Sequence, residues 1–336
     1  MEGLRTPMLV LRKADVEKIL GGREKEHIEL VRETYSLHDK GATAVPHSIF
    51  LRFPDQPANR IIGLPSYRGG ENPAAGLKWI SSFPANIHSG IARASAVMVL
   101  NSLRTGHPEA LLEASLISAA RTAASAALAA DILTEGHRPD GVSLIGCGVI
   151  NLEILRYLTA AIDTLGAVTV HDTSRARAEE FARRCRQLLP DAEVTLADSI
   201  EDALAAQRLV SFATNAGEPH VDLTAAEPGT VVLHISLRDI DPLSVNGAHN
   251  IVDDADHVCR ERTSLHLTEQ ITGGRAFIDA SIGQLINGTV RFTPDPDKVI
   301  VYSPFGLGVL DLALAVDVHA TARESGIGVE VTDFLS

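Results

Sequence analysis

The spacing of hydrophobic and polar positions along this chain changes near residue 133. Before it, short apolar stretches are bounded by Pro and Gly and show little alternation of strand and helix patterns. "MLVLRK", from Met8, predicts a strand, while "ADVEKIL" and "KEHIELVRETYSLHDKG" predict helices, the second stopped by Gly41. "VPHSIFLRF", "NRIIGLPSY", "GLKWISSF" and "ASAVMVLNSL" predict extended segments, and "RTGHPEA" a turn. Then comes "LISAARTAASAALAADIL", Leu116 to Leu133, a strong helix former of small residues suited to close packing. These elements predict an α+β domain on a mostly antiparallel sheet.

Beyond Leu133 strands and helices alternate. "GVSLIGCG", "AVTVHD", "EVTLAD", "RLVSFAT", "TVVLHIS" and "NIVDD" are short, nearly continuous apolar runs, as parallel strands buried on both faces require. "VINLEILRYLTAAIDTLG" and "SRARAEEFARRCRQLL" are helical patterns between them. The fold class expected is α/β: a Rossmann-type doubly wound parallel sheet domain beside the mostly antiparallel α+β domain. A last strand, "KVIVYS", precedes the helix "LGVLDLALAVDVHATARESG", whose apolar stripe suits a return to the first domain. The expected spans are 1–118 with 309–336, and 119–308.

Bulk properties narrow the partners. A net charge of −13 over 336 residues argues against nucleic acid and anionic membrane surfaces. No uncharged apolar run reaches the ~18 residues of a membrane span, and no signal-peptide pattern is visible, so a cytoplasmic protein is expected. Cys147, Cys185 and Cys259 are far apart without CxxC spacing and read as reduced, buried small hydrophobes. No His/Cys cluster has ligand spacing, so no metal is expected.

Three groups of residues carry candidate chemistry. "VSLIGCGVINLEIL" places Gly146, Gly148 and Asn151 between a strand and a helix. Gly146 permits the tight turn, Gly148 lets backbone approach a pyrophosphate, and the helix start offers free N–H groups. The next strand ends at Asp172, positioned to accept from ribose hydroxyls; this favours NAD over NADP, although Arg175 keeps the second open. Arg121 in the alanine-rich helix, Lys78 in mid-strand and Arg52 beside Phe50 form a possible anion clamp, the alternative being separate surface cations. "VVLHISLRDIDP" puts His234, Ser236, Arg238 and Asp239 beyond the carboxyl end of a strand, where such folds bind ligands. Asp239 is a candidate general base or a turn aspartate ahead of Pro242.

Together these segments resemble the ornithine cyclodeaminase/mu-crystallin family. The matching elements are the Lys78 strand followed by "PAN", then "RTAASAALAA", "GCGVINLE", the "SLRD" aspartate and "SPFGLGVLDLALA", in order over most of the chain. The resemblance implies that Lys78 and Arg121 hold the substrate's α-carboxylate and that Asp239 serves as acid/base. It further implies dinucleotide contacts at Arg93, Ser95, Val149, Ile150, Asp172, Thr214, Ser236, Leu237 and Ser303. A homodimer formed through the sheet domain, which is also the substrate domain, is implied as well. "HISLRD", where cyclodeaminases carry a small-residue run, and the displaced Arg52 look more like one subgroup. These are the N-[(2S)-2-amino-2-carboxyethyl]-L-glutamate dehydrogenases of 2,3-diaminopropionate formation in siderophore and peptide-antibiotic biosynthesis. Their substrate is an acidic amino acid, a secondary amine with three carboxylates. Arg121 and Lys78 would clamp one, Arg52 or Arg238 another, and Asp239 with His234 would activate water. An ornithine cyclodeaminase or alanine-type dehydrogenase stays open, as does a mu-crystallin-like binding protein without catalysis.

Overall fold

The computed structural model describes residues 7–335; the outermost residues of the expected spans, 1–6 and 336, lie outside the described residues. The chain forms two compact units, Met1–Arg121 with Leu307–Ser336, and Thr122–Gly306. The first division falls inside the helix Ser115–Leu133.

In the first unit the sheet runs in the order Val329–Val331, Met8–Leu11, Pro108–Glu113, Ala94–Asn101, Ala74–Ser82, Gln56–Arg68, Thr43–Ala44, with Ile49–Phe53 also paired to Gln56–Arg68. The pairings are antiparallel except that of Met8–Leu11 with Pro108–Glu113. One cross-strand row is Leu64, Lys78, Met98 and Leu112, buried along the face that the helix Gly308–Ser325 covers. Packing there is close: a Cβ on Gly308 would stand 3.0 Å from that of Leu64. The period-2 alternation sends Ile49, Leu51, Leu77, Trp79 and Val97 to the opposite face, where they are exposed.

One expected turn is corrected. "RTGHPEA" turns only in its first half, and from Pro108 the chain is a strand. The reason is the alternation in "PEALLE", which buries Ala110 and Leu112 and turns Glu109, Leu111 and Glu113 away from that core.

The second unit is an eight-stranded sheet in the order Glu193–Leu196, Ala167–His171, Gly141–Ile145, Leu209–Phe212, Val231–His234, Ile300–Ser303, His249–Val252, Ala280–Ser281. All of these pairings are parallel. Chain order reverses between Gly141–Ile145 and Leu209–Phe212, the switch point at which doubly wound sheets open a crevice. The apolar runs "GVSLI", "LVSF", "VVLH" and "IVYS" are buried at every position. Five short helices were not expected from the pattern: Ile200–Ala206, Pro242–Gly247, Ala255–Val258, Ser264–Thr272 and Ile282–Asn287.

Candidate active site

The glycine loop lies at the switch point of the second unit. Gly146 has φ +95°, and a Cβ on it would sit 2.6 Å from the Ala213 carbonyl oxygen of the adjacent strand end, so only glycine fits. A Cβ on Gly148 would meet nothing within 4 Å: the backbone here faces open space. Gly148 caps the helix Val149–Ala161 without any side-chain cap, which leaves the first-turn N–H groups available to an anion. Val149, 62% exposed, and the half-buried Ile150 open that helix. The arrangement suits a pyrophosphate.

Asn151 stands where the glycine pattern has its third glycine. It is fully buried, its Nδ2 donates to the carbonyls of Ile145 (2.9 Å) and Gly146 (2.8 Å), and its Oδ1 accepts from Ser211 Oγ at 2.8 Å. A polar side chain thus ties the helix to both switch-point strands. Asn151→Leu is expected to cost about 3 kcal/mol, because three buried partners lose their hydrogen bonds; urea unfolding of the unliganded protein measures it.

Asp172 follows the second strand, as the spacing predicts. Its carboxylate accepts from the backbone N–H of Cys147 at 3.0 Å and of Ser174 at 2.9 Å, which holds it against the glycine loop. Arg175 is engaged elsewhere, by Glu179 at 3.3 Å and Asp198 at 2.8 Å; the cation beside Asp172 is Arg177, at 3.8 Å. Burial and the neighbouring Asp172 push the Cys147 thiol up to about 12, so it stays protonated and acts as a filler.

A second group surrounds Asp239, which is fully buried. The hydroxyls of Thr214 and Ser236 donate to its two carboxylate oxygens. His234 Nε2 lies 3.2 Å from the Asp239 backbone N–H and 3.5 Å from its carboxylate, while Nδ1 is 3.3 Å from Ser303 Oγ. The ring accepts from the N–H when neutral and donates to the carboxylate when protonated. Burial raises the Asp239 pKa, but His234, Ser236 and Thr214 together outweigh it and hold the carboxyl below the ordinary range. Backbone order is supplied by Leu237, buried at φ +67°, whose carbonyl accepts from Ser264 N–H at 2.8 Å. Arg238 donates to the Glu261 carbonyl at 2.8 Å.

The third group belongs to the first unit. Lys78, buried in mid-strand, donates to Asp311 Oδ2 at 2.7 Å and to Ser118 Oγ at 3.2 Å. Arg121 Nε faces the same Asp311 oxygen at 3.2 Å. Burial lowers the Lys78 pKa to about 8 despite Asp311, with Arg121 adding to the fall. For Asp311 burial acts upward, yet Arg121 and Lys78 overcome it and keep the carboxyl ionised. Two cations and one anion leave the cluster with one net positive charge. Sequence reasoning missed Asp311; its signal was an acid inside the otherwise apolar helical run "GVLDLALAV".

Arg52, Arg93 and Ser95, the other expected residues of this unit, have neighbours of their own. Arg52 is exposed and stacks on Phe50, its guanidinium carbon 5.3 Å from the ring centre. Arg93 Nε donates to Ser82 Oγ at 3.3 Å, and burial, then neighbouring Arg60, lowers its pKa. Ser95 is on the Trp79 face of the sheet, opposite Lys78, with its Oγ 2.8 Å from that of Ser81.

Comparison with known proteins accords with these features. The sequence model of the ornithine cyclodeaminase/mu-crystallin family matches residues 7–326. A Staphylococcus aureus N-((2S)-2-amino-2-carboxyethyl)-L-glutamate dehydrogenase is 28% identical over 96% of this chain and 97% of its own. Among solved structures, CmnK superposes with a TM-score of 0.87 at 29% identity, covering 98% of this chain and 99% of that one. The Δ1-pyrroline-2-carboxylate reductase of Thermococcus litoralis, solved with NADH and L-proline, has the same fold: TM-score 0.88, 24% identity, 96% of this chain and 100% of that one.

Proposed function

Because this chain belongs to the ornithine cyclodeaminase/mu-crystallin family, we propose that it is an NAD-dependent oxidoreductase acting on N-[(2S)-2-amino-2-carboxyethyl]-L-glutamate. The products are L-2,3-diaminopropionate and 2-oxoglutarate, the former destined for a siderophore or peptide antibiotic. The overall change consumes the amine, NAD and one water, and yields the two acids, NADH and a proton.

Gly146, Gly148, Val149, Ile150 and Asp172 would hold NAD, which when bound would supply the hydride acceptor for oxidation of the glutamyl Cα–N bond. Lys78 and Arg121 hold the glutamyl α-carboxylate by charge-assisted hydrogen bonds. Asp239, ionised and aimed by two hydroxyls, stabilises the positive charge of the C=N bond and accepts a proton as water adds to it. His234 fixes the aspartate and can carry that proton onward.

The observation that carries the substrate reading is the buried, net positive trio of Lys78, Arg121 and Asp311 in a chain of net charge −13. Such a cluster attracts a carboxylate, and the glutamate adduct, alanine and ornithine each carry one, so the choice among them rests on the assay. NADH formation with the glutamate adduct and with alanine, beside proline and ammonia release with ornithine, whose cyclodeamination forms no net NADH, tests it. Activity with the adduct is expected, and activity with ornithine alone would refute the reading.

The protein also works as a homodimer in this reading. Leu77, Trp79, Val97, Ile49 and Leu51 make one exposed apolar sheet face, and a second copy of the same face is its simplest cover. Trp79, still 40% exposed, packs on Gly63 at its centre. Trp79→Glu is expected to give monomers in light scattering where the parent gives dimers.

A further inference from the structure

The Lys78–Arg121 pair has an internal counterion that the reaction, as described, does not use. We infer that Asp311 is a positioning residue: its one engaged oxygen fixes Lys78 and Arg121 side by side and leaves them one net charge with which to take one carboxylate. The inference rests on the reading that these two cations hold the substrate.

Three observations support it. Oδ2 alone meets both cations, at 2.7 Å from Lys78 Nζ and 3.2 Å from Arg121 Nε. The second oxygen, Oδ1, is buried and without a hydrogen-bond partner among the described residues. A carboxylate retained for stability would satisfy both oxygens, since an orphaned charged acceptor is costly in the interior. Third, the contact of Arg121 Nε with Oδ2 is an ion pair at 3.2 Å without hydrogen-bond geometry, so the donors of this guanidinium are not committed to Asp311 and can serve another oxyanion. Arg121 is the more accessible member, 12% exposed at its side chain against 2% for Lys78.

The charged groups facing Lys78 are few. The helix Gly308–Ser325 presents Asp311, the helix Ser115–Leu133 presents Arg121 and the neutral Ser118, and the flanking strands present Leu64 and Met98. Asp311 is the only one of these that favours the ammonium form. Lys78 gives up its proton near pH 8 with this support, and it must do so at lower pH without it.

The test is the pH dependence of KM with whichever amino acid supports NADH formation, for the parent, Lys78→Met, Asp311→Asn and Asp311→Glu. In the parent, affinity is expected to fall as pH rises through about 8. Asp311→Asn is expected to move that fall down by at least about one pH unit, so that KM is raised about tenfold at pH 8 and recovers toward pH 6. Asp311→Glu keeps the charge and misplaces it, so the fall stays at the parent's pH while KM rises about tenfold throughout. A uniform KM increase in Asp311→Asn, with the fall unmoved, would overturn the inference. Should that variant fail to fold, judged by circular dichroism, an unchanged KM in Asp311→Glu would do so. Failure of the underlying reading looks different: Lys78→Met would leave KM and its pH dependence as in the parent.

Discussion

Asp239→Asn is expected to lower kcat by about 10³-fold while NAD affinity stays within about twofold of the parent. Asparagine keeps the shape of the side chain, and the Ser236 and Thr214 hydroxyls can rotate to serve a carbonyl and an amide. What disappears is the negative charge opposite the developing C=N cation and the acceptor for the proton of water. The backbone of this residue is fixed independently, its carbonyl accepting from the N–H groups of His220 at 2.8 Å and Val221 at 2.9 Å, so the loop should hold. NAD contacts are expected at the glycine loop as well as at Thr214, Ser236, Leu237 and Ser303, and those of the loop should persist. Steady-state NADH production and fluorescence titration of NAD measure the two quantities. A parallel loss of NAD binding would mean that Asp239 shapes the cofactor site instead of serving the chemistry.

Arg121→Met is expected to raise KM by about 10²–10³-fold, equivalent to about 3–4 kcal/mol, with a smaller effect on kcat. The arithmetic of charge is the reason. Without the guanidinium, Lys78 and Asp311 form a neutral buried pair at 2.7 Å, and nothing is left over to draw in a carboxylate. Lys78 should then resist deprotonation better, because the cation that lowers its pKa is gone. The parent and variant are compared by initial rates across substrate concentration. A change confined to kcat, with KM preserved, would show that Arg121 acts on the reacting atoms and not on binding.

The legible parts of this protein were the local ones. Gly146, Gly148 and Asp172 are linked by one strand–helix–strand unit, so spacing alone carried their relation, and the structure has Asp172 against the loop as that spacing predicts. The same holds for the strands "GVSLI" and "VVLH", whose continuous apolar runs have no other use than burial on both faces. "PEALLE" was hidden because Pro108 and two glutamates imitate a turn and mask its alternation, which becomes plain once the segment pairs with Met8–Leu11 and Ala94–Asn101. Asp311 was hidden for the opposite reason. Its meaning depends on a partner 233 residues away, and nothing in "GVLDLALAV" names that partner. The left-handed Leu237 was equally invisible, since leucine carries no preference for that conformation. Arg175 and Arg238 drew notice by position in the sequence, yet their guanidinium groups are engaged by Asp198 and by the Glu261 carbonyl. Arginine is long enough that position fixes its base far better than its tip.

The central claim, oxidation at the glutamyl Cα of a multiply acidic amine, is tested most directly by isotope transfer. The adduct deuterated at that carbon is incubated with the protein and NAD, and the nicotinamide and acid products are analysed by mass spectrometry. The account predicts one deuterium in NADH for each 2-oxoglutarate formed, with L-2,3-diaminopropionate unlabelled. Deuterium retained in the amine, or NADH formed without label, would contradict it.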